Sequence, residues 1–168
     1  RSIFSNLAIH LKKNQDRGYE DLSLFEIGPT FFGKNPGEQQ IVVGGLKSGK
    51  VNKKSWLDKE RNIDVFDIKS DTIQTLVELG IEEKNLFVTD NTKHSYHPGR
   101  SGSVSLKSEK GPHLAYFGEI HPAITKNLDF KDKNIFGFEI FLKNIPEPNK
   151  KIRQIKKSFQ VFDYQKSE

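Results

Sequence analysis

Two short stretches joined by a hydrophilic connection constrain the fold of this chain more than any other feature. Residues 97–104 begin with the proline and glycines of a turn and continue into the polar–apolar alternation typical of a strand. Residues 116–122 begin with β-forming aromatic side chains and end at Pro122, a residue suited to the first position of a helix. Residues 107–112 between them are rich in turn-forming residues. The sequence therefore predicts two neighbouring antiparallel strands with two histidines, an arginine and a glutamate at their ends.

The remaining apolar patterns predict helices and further strands. The predicted helices cover residues 3–14, 64–79 and 122–128, and the further strands cover residues 22–27, 39–46, 86–89 and 135–142. Both faces of residues 22–27 are mostly apolar, so we expect that strand to be buried on both sides and interrupted at Gly28. The order of elements predicts an α+β domain, with a mostly antiparallel sheet flanked by helices that pack on one face.

Composition limits the classes of protein to which this chain can belong. No apolar run approaches the roughly 18 residues of a membrane span, and the lack of cysteine excludes disulfides and thiolate metal sites. No secretion leader is recognisable, so we expect a cytoplasmic protein with no membrane contact. The chain begins with Arg1 and contains no methionine, which indicates a piece of a longer polypeptide.

The net charge of +5 is concentrated near the carboxyl end. Residues 143–168 contain seven Lys or Arg and three Asp or Glu, a net charge of +4, which leaves +1 for the rest of the chain. Pro146 and the basic residues after it predict a charged linker, and apolar residues at 158–163 predict the first strand of a truncated second domain. We therefore predict one module over residues 1–145, and a linker with the start of another domain over residues 146–168.

Few residues carry a recognisable chemistry. Glu26 and Glu119 could act as acids or bases, but each stands alone in its strand and no partner can be inferred. Residues 99–102 could hold an anion through backbone amides, although a tight turn explains their two glycines better. Four histidines raise the question of a metal ion, but their spacing matches no helical metal motif: His94, His97, His113 and His121. The residues alone leave open a stand-alone nucleic-acid-binding module that uses the basic tail, and a metal-dependent hydrolase that uses the histidines.

Six motifs in a fixed order carry a more specific signal. They cover residues 1–3, 24–31, 64–69, 97–102, 118–122 and 138–140. Their order and spacing resemble the β subunit of bacterial phenylalanyl-tRNA synthetase across essentially the whole chain. The resemblance implies the fold of a class II aminoacyl-tRNA synthetase in a module that no longer catalyses. It also implies that residues 146–168 lead into a ferredoxin-like anticodon-binding domain.

Departures from the pattern of active class II enzymes decide what the resemblance implies about chemistry. In an active enzyme, the strand similar to residues 26–31 is followed by an arginine that binds the α-phosphate of ATP, whereas Phe32 stands here. A second arginine follows the last strand of active enzymes, but here that strand leads into Pro146 without one. We therefore expect no catalytic residue and no metal site. Five residues stay as candidates for structural motifs or remnants of the ancestral pocket: Glu26, His97, Arg100, Glu119 and His121.

The resemblance also implies partners. A β subunit of this family assembles with a catalytic α subunit into an (αβ)2 enzyme that attaches phenylalanine to its tRNA with ATP and Mg2+. Those ligands would bind outside this fragment, which needs no cofactor of its own, and tRNA would bind mainly to other domains. We expect the α subunit to meet an exposed apolar patch that includes the predicted helix at residues 3–11.

Overall fold

The computed structural model describes residues 3–33, 35, 37–51, 60–130 and 134–147. The strands are β1 Leu22–Phe31, β2 Gln39–Ser48, β3 Leu86–Thr89, β4 Tyr96–Leu106, β5 His113–Ile120 and β6 Phe136–Phe141. The helices are α1 Phe4–Asp16, α2 Val65–Glu78 and α3 Pro122–Asn127, with short 3-10 turns at Glu83–Asn85 and Leu142–Asn144. The strands form one sheet in the order β1-β2-β6-β5-β4-β3, and every neighbouring pair is antiparallel. The predicted α+β class is confirmed.

The helices α1 and α2 lie on opposite faces of the sheet, so the prediction of a single helical face was wrong. On β2, Val42 and Leu46 pack in the core with α1, whereas the adjacent Val43 packs against the core under α2. Successive side chains of a strand point to opposite faces, so these two cores lie on either side of the sheet. The physical reason is visible in β6, where all six residues are buried and both faces need covering.

The apolar face of α1 is buried against its own sheet. Phe4, Leu7 and Leu11 belong to the core on that side, and the ring of Phe4 meets Tyr96 edge-to-face with centroids 5.6 Å apart. Among the large apolar side chains of α1, Ile9 is exposed. Its own sheet therefore covers most of the apolar face of this helix, and the expectation that the helix contributes to a subunit interface stays a prediction.

A capping box fixes the start of α2. The side chain of Asp64 accepts hydrogen bonds from the backbone N–H groups of Phe66 and Asp67, and Asp67 accepts one in return from the Asp64 N–H. Arg61 donates two hydrogen bonds to the Asp67 carboxylate, at 2.6 and 2.7 Å. Because Arg61 and the Asp64 N–H stabilise the charged form, the pKa of Asp67 is lowered. The helix is followed by Gly80, whose φ of +96° favours glycine.

Strand β1 differs from its prediction in two ways. It runs without interruption through Gly28 and Pro29 to Phe31, since it is an edge strand, where a residue without an N–H is tolerated. It is also bare on one face, where Phe25 is 75% exposed and Ile27 is 60% exposed, so the prediction of burial on both sides was wrong.

The stretch that begins at His97 is part of a strand rather than a turn. Strand β4 starts at Tyr96, and its pairing with β5 shifts register between Tyr96 and Ser101. Gly118 on β5, opposite Ser101, has a φ of +146°, and a Cβ there would come within 2.7 Å of the Arg100 carbonyl oxygen. The prediction of adjacent antiparallel strands is confirmed, but the irregularity is a bulge inside the pair.

Two predictions fall on residues that the structure does not describe. Most of the predicted linker and the start of a second domain, residues 148–168, lie outside the described part, as does residue 56, the one tryptophan. Within the described part, no helix is long and apolar enough to cross a membrane.

Candidate functional site: a charged row across the sheet

The strand register aligns one residue from each strand in a row across the sheet. The row contains Glu26, Gly44, Glu139, Tyr116, Ser103 and Thr89. Glu26 accepts a hydrogen bond of 2.8 Å from Asn6 on α1, so the row lies on the face that α1 partly covers. Residues paired across strands share a face and interact directly. The row therefore presents its polar side chains on one face of the sheet.

Glu139 is the most buried charge of the row. Lys93 Nζ lies 3.4 Å from its Oε2 atom and also stands over two aromatic rings, 4.6 Å from the centroid of Tyr116 and 4.5 Å from that of Phe141. The ammonium group thus combines a charge-assisted hydrogen bond with cation–π contacts. Glu139, Tyr116 and Phe141 thus hold Lys93 beside the row.

Tyr116 in the row and its neighbour Tyr96 stay protonated at neutral pH. Burial raises the pKa of Tyr116 above its usual 10.0, and the nearby charge of Glu139 raises it further. Burial raises the pKa of Tyr96 well above the same value. The Tyr96 hydroxyl donates a weak hydrogen bond of 3.4 Å to the Tyr116 carbonyl oxygen. Neither phenol is poised as a base at neutral pH.

Arg100 and Glu119 form the second charged element of the site. Arg100 Nε lies 2.5 Å from Oε2 and NH2 lies 3.0 Å from Oε1, a bidentate pair. The Glu119 side chain is 4% exposed, whereas that of Arg100 is 54% exposed. Glu119 pairs in register with Phe136, which belongs to the core under α2. The pair joins β4 to β5 beside the bulge and is distinct from the row.

The other sequence candidates have different hydrogen-bond partners. Glu26 lies on the edge strand β1, away from β4 and β5, where Arg100 and Glu119 lie. The Nδ1 atoms of His97 and His121 accept backbone hydrogen bonds. For His97 the donor is the Gly99 N–H at 3.1 Å, and for His121 it is the Ala123 N–H at 3.2 Å, which caps α3. Among the five candidates, a direct side-chain contact joins Arg100 and Glu119.

The histidines do not assemble into a metal centre in the part of the chain that the structure describes. There, no three side chains of His, Asp or Glu come close enough to hold an ion. His113 instead shares a hydrogen bond of 3.0 Å with the Ser105 hydroxyl and stacks on Tyr116. The geometry gives the hydrolase hypothesis no support.

Sequence reasoning missed the most buried part of the site, Glu139 with Lys93 and Tyr116. One signal was available, because Glu139 is a charge inside a strand of phenylalanines and isoleucine, and such charges are almost never fully buried unless paired. Its partner could not be identified, since Lys93 is 46 residues away and belongs to no strand or helix.

Among the described residues, the row carries few groups that would stabilise the triphosphate of ATP. Two of the six positions in the row are carboxylates, and the one ammonium group beside Glu139 already has partners. Phe32 is exposed just beyond β1, where the sequence pattern places a phosphate-binding arginine in active enzymes. After β6 the described chain forms a single 3-10 turn, whose cation is Lys143, and then becomes extended. Stabilising a polyphosphate requires preorganised positive groups, and this face offers mainly negative ones.

Comparisons with known proteins give a consistent picture. The family model described as phenylalanyl tRNA synthetase beta chain CLM domain matches residues 1–142. The phenylalanine–tRNA ligase beta subunit of Paramagnetospirillum magneticum is 37% identical over 155 residues, which is 92% of this chain and 19% of the relative. That of Rhodospirillum rubrum is 41% identical over 147 residues, which is 88% of this chain and 18% of the relative. The chain thus spans about a fifth of the length of these relatives.

A solved structure supports the same fold. The pyrrolysyl-tRNA synthetase PylSc of Desulfitobacterium hafniense superposes with a TM-score of 0.57, covering 86% of this chain and 47% of that one. At 14% identity, this likeness shows that the fold is that of a class II synthetase and carries no information about chemistry.

Proposed function

Because the chain belongs to the phenylalanyl-tRNA synthetase beta chain family, we propose that it is a non-catalytic, assembly-scaffolding module of a β subunit. In this proposal the module packs on a catalytic α subunit in an (αβ)2 enzyme that ligates phenylalanine to its tRNA. ATP and Mg2+ bind outside this module, and tRNA binds mainly to other domains. Translation takes place in the cytoplasm, so the proposal includes that location.

The observation that carries this proposal is the charge of the row across the sheet. Adenylate formation builds negative charge on the α-phosphate, which an enzyme must stabilise with preorganised cations. Here Glu26 and Glu139 stand in the row and Phe32 stands at the position of the expected arginine. A class II-like fold with a face of the wrong charge sign is best explained by a role in assembly.

We assign structural roles to the five candidate residues within the same proposal. Arg100 and Glu119 stabilise the bulge between β4 and β5, and His121 caps α3. Glu26 fixes α1 to the edge of the sheet through Asn6, and the remaining candidate, His97, orders the backbone before the bulge. We also propose that the module extends to about residue 145 and that the segment after it leads to an anticodon-binding domain.

Phenylalanine-dependent exchange of pyrophosphate into ATP tests the catalytic part of the proposal. The purified chain should show background exchange, and exchange should appear only when a catalytic α subunit is present. Arg100→Ala serves as the diagnostic variant, because Arg100 is the arginine closest to the central motifs. Arg61→Ala is the matched control, an arginine that precedes α2 and pairs with Asp67. Exchange by the chain alone that is lost in Arg100→Ala and kept in Arg61→Ala would overturn the proposal.

Association with the α subunit tests the assembly part. A stable complex with α, purified by gel filtration, is the expected result. The alternative of a stand-alone nucleic-acid-binding module, favoured by the basic tail, predicts a different result. It requires RNA binding by the isolated chain that weakens steeply as salt rises, together with no complex with α.

A further inference from the structure

Two aromatic rings and a carboxylate on neighbouring strands enclose one ammonium group of this chain. Tyr116 on β5 pairs in register with Glu139 on β6, and Phe141 lies two residues further along β6, on the same face of the sheet. The rings of Tyr116 and Phe141 are nearly perpendicular, at 81°, with centroids 5.7 Å apart. The two rings and the Glu139 carboxylate form three walls, which we call the cage.

The ammonium group of Lys93 meets all three walls of the cage. Its Nζ atom lies 4.6 Å from the ring centroid of Tyr116, 4.5 Å from that of Phe141 and 3.4 Å from the Oε2 atom of Glu139. The face of an aromatic ring attracts a cation within about 6 Å of its centroid, and a carboxylate accepts a charge-assisted hydrogen bond from an ammonium N–H. A neutral group of the same shape would gain neither attraction, so the cage favours a cation.

The walls of the cage are positioned by the sheet rather than by Lys93. Glu139 and Phe141 are buried residues of β6, which lies between β2 and β5. The ring of Tyr116 stacks with that of His113, with centroids 5.7 Å apart, and His113 shares a hydrogen bond with Ser105 on β4. A site whose walls are already in place loses little entropy when it binds a ligand. We therefore expect the cage to keep its shape when the Lys93 side chain is removed.

Lys93 reaches the cage from a segment that is not part of the sheet. It belongs to residues 90–95, which join β3 to β4 and contain no helix or strand. The Lys93 side chain is 43% exposed, whereas that of Glu139 is 4% exposed, so the ammonium group enters the cage from the solvent side. A charged group on a flexible stem that is fixed to the same chain acts as a tethered ligand. Its effective concentration at the cage is high, which keeps free ligands out.

We infer that the cage is a binding site for a primary alkylammonium group and that Lys93 is its built-in ligand. The two ring contacts require a positive charge, and the contact with Glu139 requires an N–H donor. An alcohol lacks the charge and a quaternary ammonium lacks the donor, so neither satisfies all three walls. The inference goes beyond the proposed function and does not depend on it, because it rests on contacts within this chain.

Removing the side chain of Lys93 should open the cage to a free ligand. Lys93→Ala deletes the atoms from Cγ to Nζ, which correspond to propylammonium, so that compound is the probe. Saturation-transfer difference NMR on the full chain should show propylammonium binding to Lys93→Ala with a Kd on the order of 10 mM, and binding to the wild type at least about tenfold weaker. Propan-1-ol and tetramethylammonium should each bind Lys93→Ala at least about tenfold more weakly than propylammonium does.

Matched variants show whether the ligand binds in the cage. Lys12→Ala removes another lysine that pairs with a carboxylate, that of Asp16 at 2.8 Å on the surface of α1, and it should bind propylammonium no better than the wild type. Adding Phe141→Leu to Lys93→Ala removes one aromatic wall, and adding Glu139→Gln instead removes the negative charge. Each double variant should bind propylammonium about tenfold more weakly than Lys93→Ala, or weaker still.

Circular dichroism of each variant shows whether the chain is folded. If Lys93→Ala is unfolded in buffer, propylammonium should restore the fold, because a ligand that binds only the native state stabilises it, and propan-1-ol at the same concentration should not. The inference would be overturned if Lys93→Ala neither bound propylammonium nor was restored by it, or if Lys12→Ala bound it equally well. Equal binding of propan-1-ol or tetramethylammonium, or binding that survives in both double variants, would also overturn it.

Discussion

Replacing Arg100 by alanine should destabilise the module more than neutralising Glu119, although the two side chains are partners in one ion pair. The asymmetry follows from burial, since the carboxylate is 4% exposed and the guanidinium is 54% exposed. In Arg100→Ala the carboxylate stays inside the fold and loses two charge-assisted hydrogen bonds, at 2.5 and 3.0 Å. In Glu119→Gln the exposed guanidinium can be hydrated, and the amide oxygen can still accept a hydrogen bond.

The magnitudes follow from the same contacts. Removing one partner of a fully buried pair costs about 3–5 kcal/mol. Water reaches the outer side of Arg100, so we expect Arg100→Ala to lower the free energy of unfolding by about 2–3 kcal/mol. Glu119→Gln should lower it by about 1 kcal/mol, the value of an ordinary hydrogen bond. The double variant should resemble Glu119→Gln alone, because no buried charge is then left without a partner.

Urea unfolding at pH 7, followed by far-ultraviolet circular dichroism, measures these free energies. Lys12→Ala is the matched control, because Lys12 forms an ion pair of 2.8 Å with Asp16 on the surface of α1. It should leave the free energy of unfolding close to the wild-type value, because exposed ion pairs contribute little to stability. The reasoning would be refuted if Glu119→Gln destabilised the chain as much as Arg100→Ala, or if Arg100→Ala matched the surface control.

Three further predictions concern the elements that support the site. The pKa of Asp67 is lowered from 3.8 in the folded state, so its charged form stabilises the fold fully above that value and stops doing so as pH falls through the folded pKa. Asp67→Asn should therefore lower the free energy of unfolding, measured with urea, by about 1 kcal/mol at pH 7 and by less at pH 3. Gly118→Ala should lower the free energy of unfolding by more than about 1–3 kcal/mol, because a φ of +146° is strained for alanine and its Cβ would collide with Ser101. A decrease in unfolding temperature no larger than that of Gly18→Ala, where the space around the glycine is open, would contradict this prediction. Leu11→Ala should lower the free energy of unfolding in urea by about 2–5 kcal/mol, since Leu11 is fully buried. Ile9→Ala, on the exposed side of the same helix, should change that free energy little.

Local patterns in the sequence predicted most of the elements, because each element expresses its own periodicity. The alternation at Phe136, Phe138 and Ile140 predicted β6, and helical spacing with Gly80 as the stop predicted α2. The side of the sheet on which each helix lies was not accessible in this way. It depends on which strands become neighbours, and β6 comes to lie between β2 and β5 only in the folded sheet.

The same limit explains two of the errors at strand level. An apolar residue such as Phe25 looks identical in a sequence whether its own domain buries it or another chain does, so burial on both sides was the natural expectation. Pro98 and Gly99 are typical of turns, but the bulge that accommodates them forms through the positive φ of Gly118 on the neighbouring strand. In both cases the outcome depends on which other part of the molecule lies against the residue, and the residue's own sequence neighbours do not show this.

The candidate site shows why the residues with recognisable chemistry were poor guides to the role of this chain. Glu119 and Arg100 were identifiable as charged groups at strand ends, yet they satisfy each other and leave little to offer a substrate. The informative positions are those where charge is missing or has the wrong sign, namely Phe32 and the row that contains Glu26 and Glu139. A triphosphate bound here would meet Phe32 in place of an arginine, and it would be repelled by Glu26 and Glu139 unless a cation lay between them. The proposed function accounts for this pattern, because a module used in assembly needs contact surfaces rather than preorganised cations at these positions.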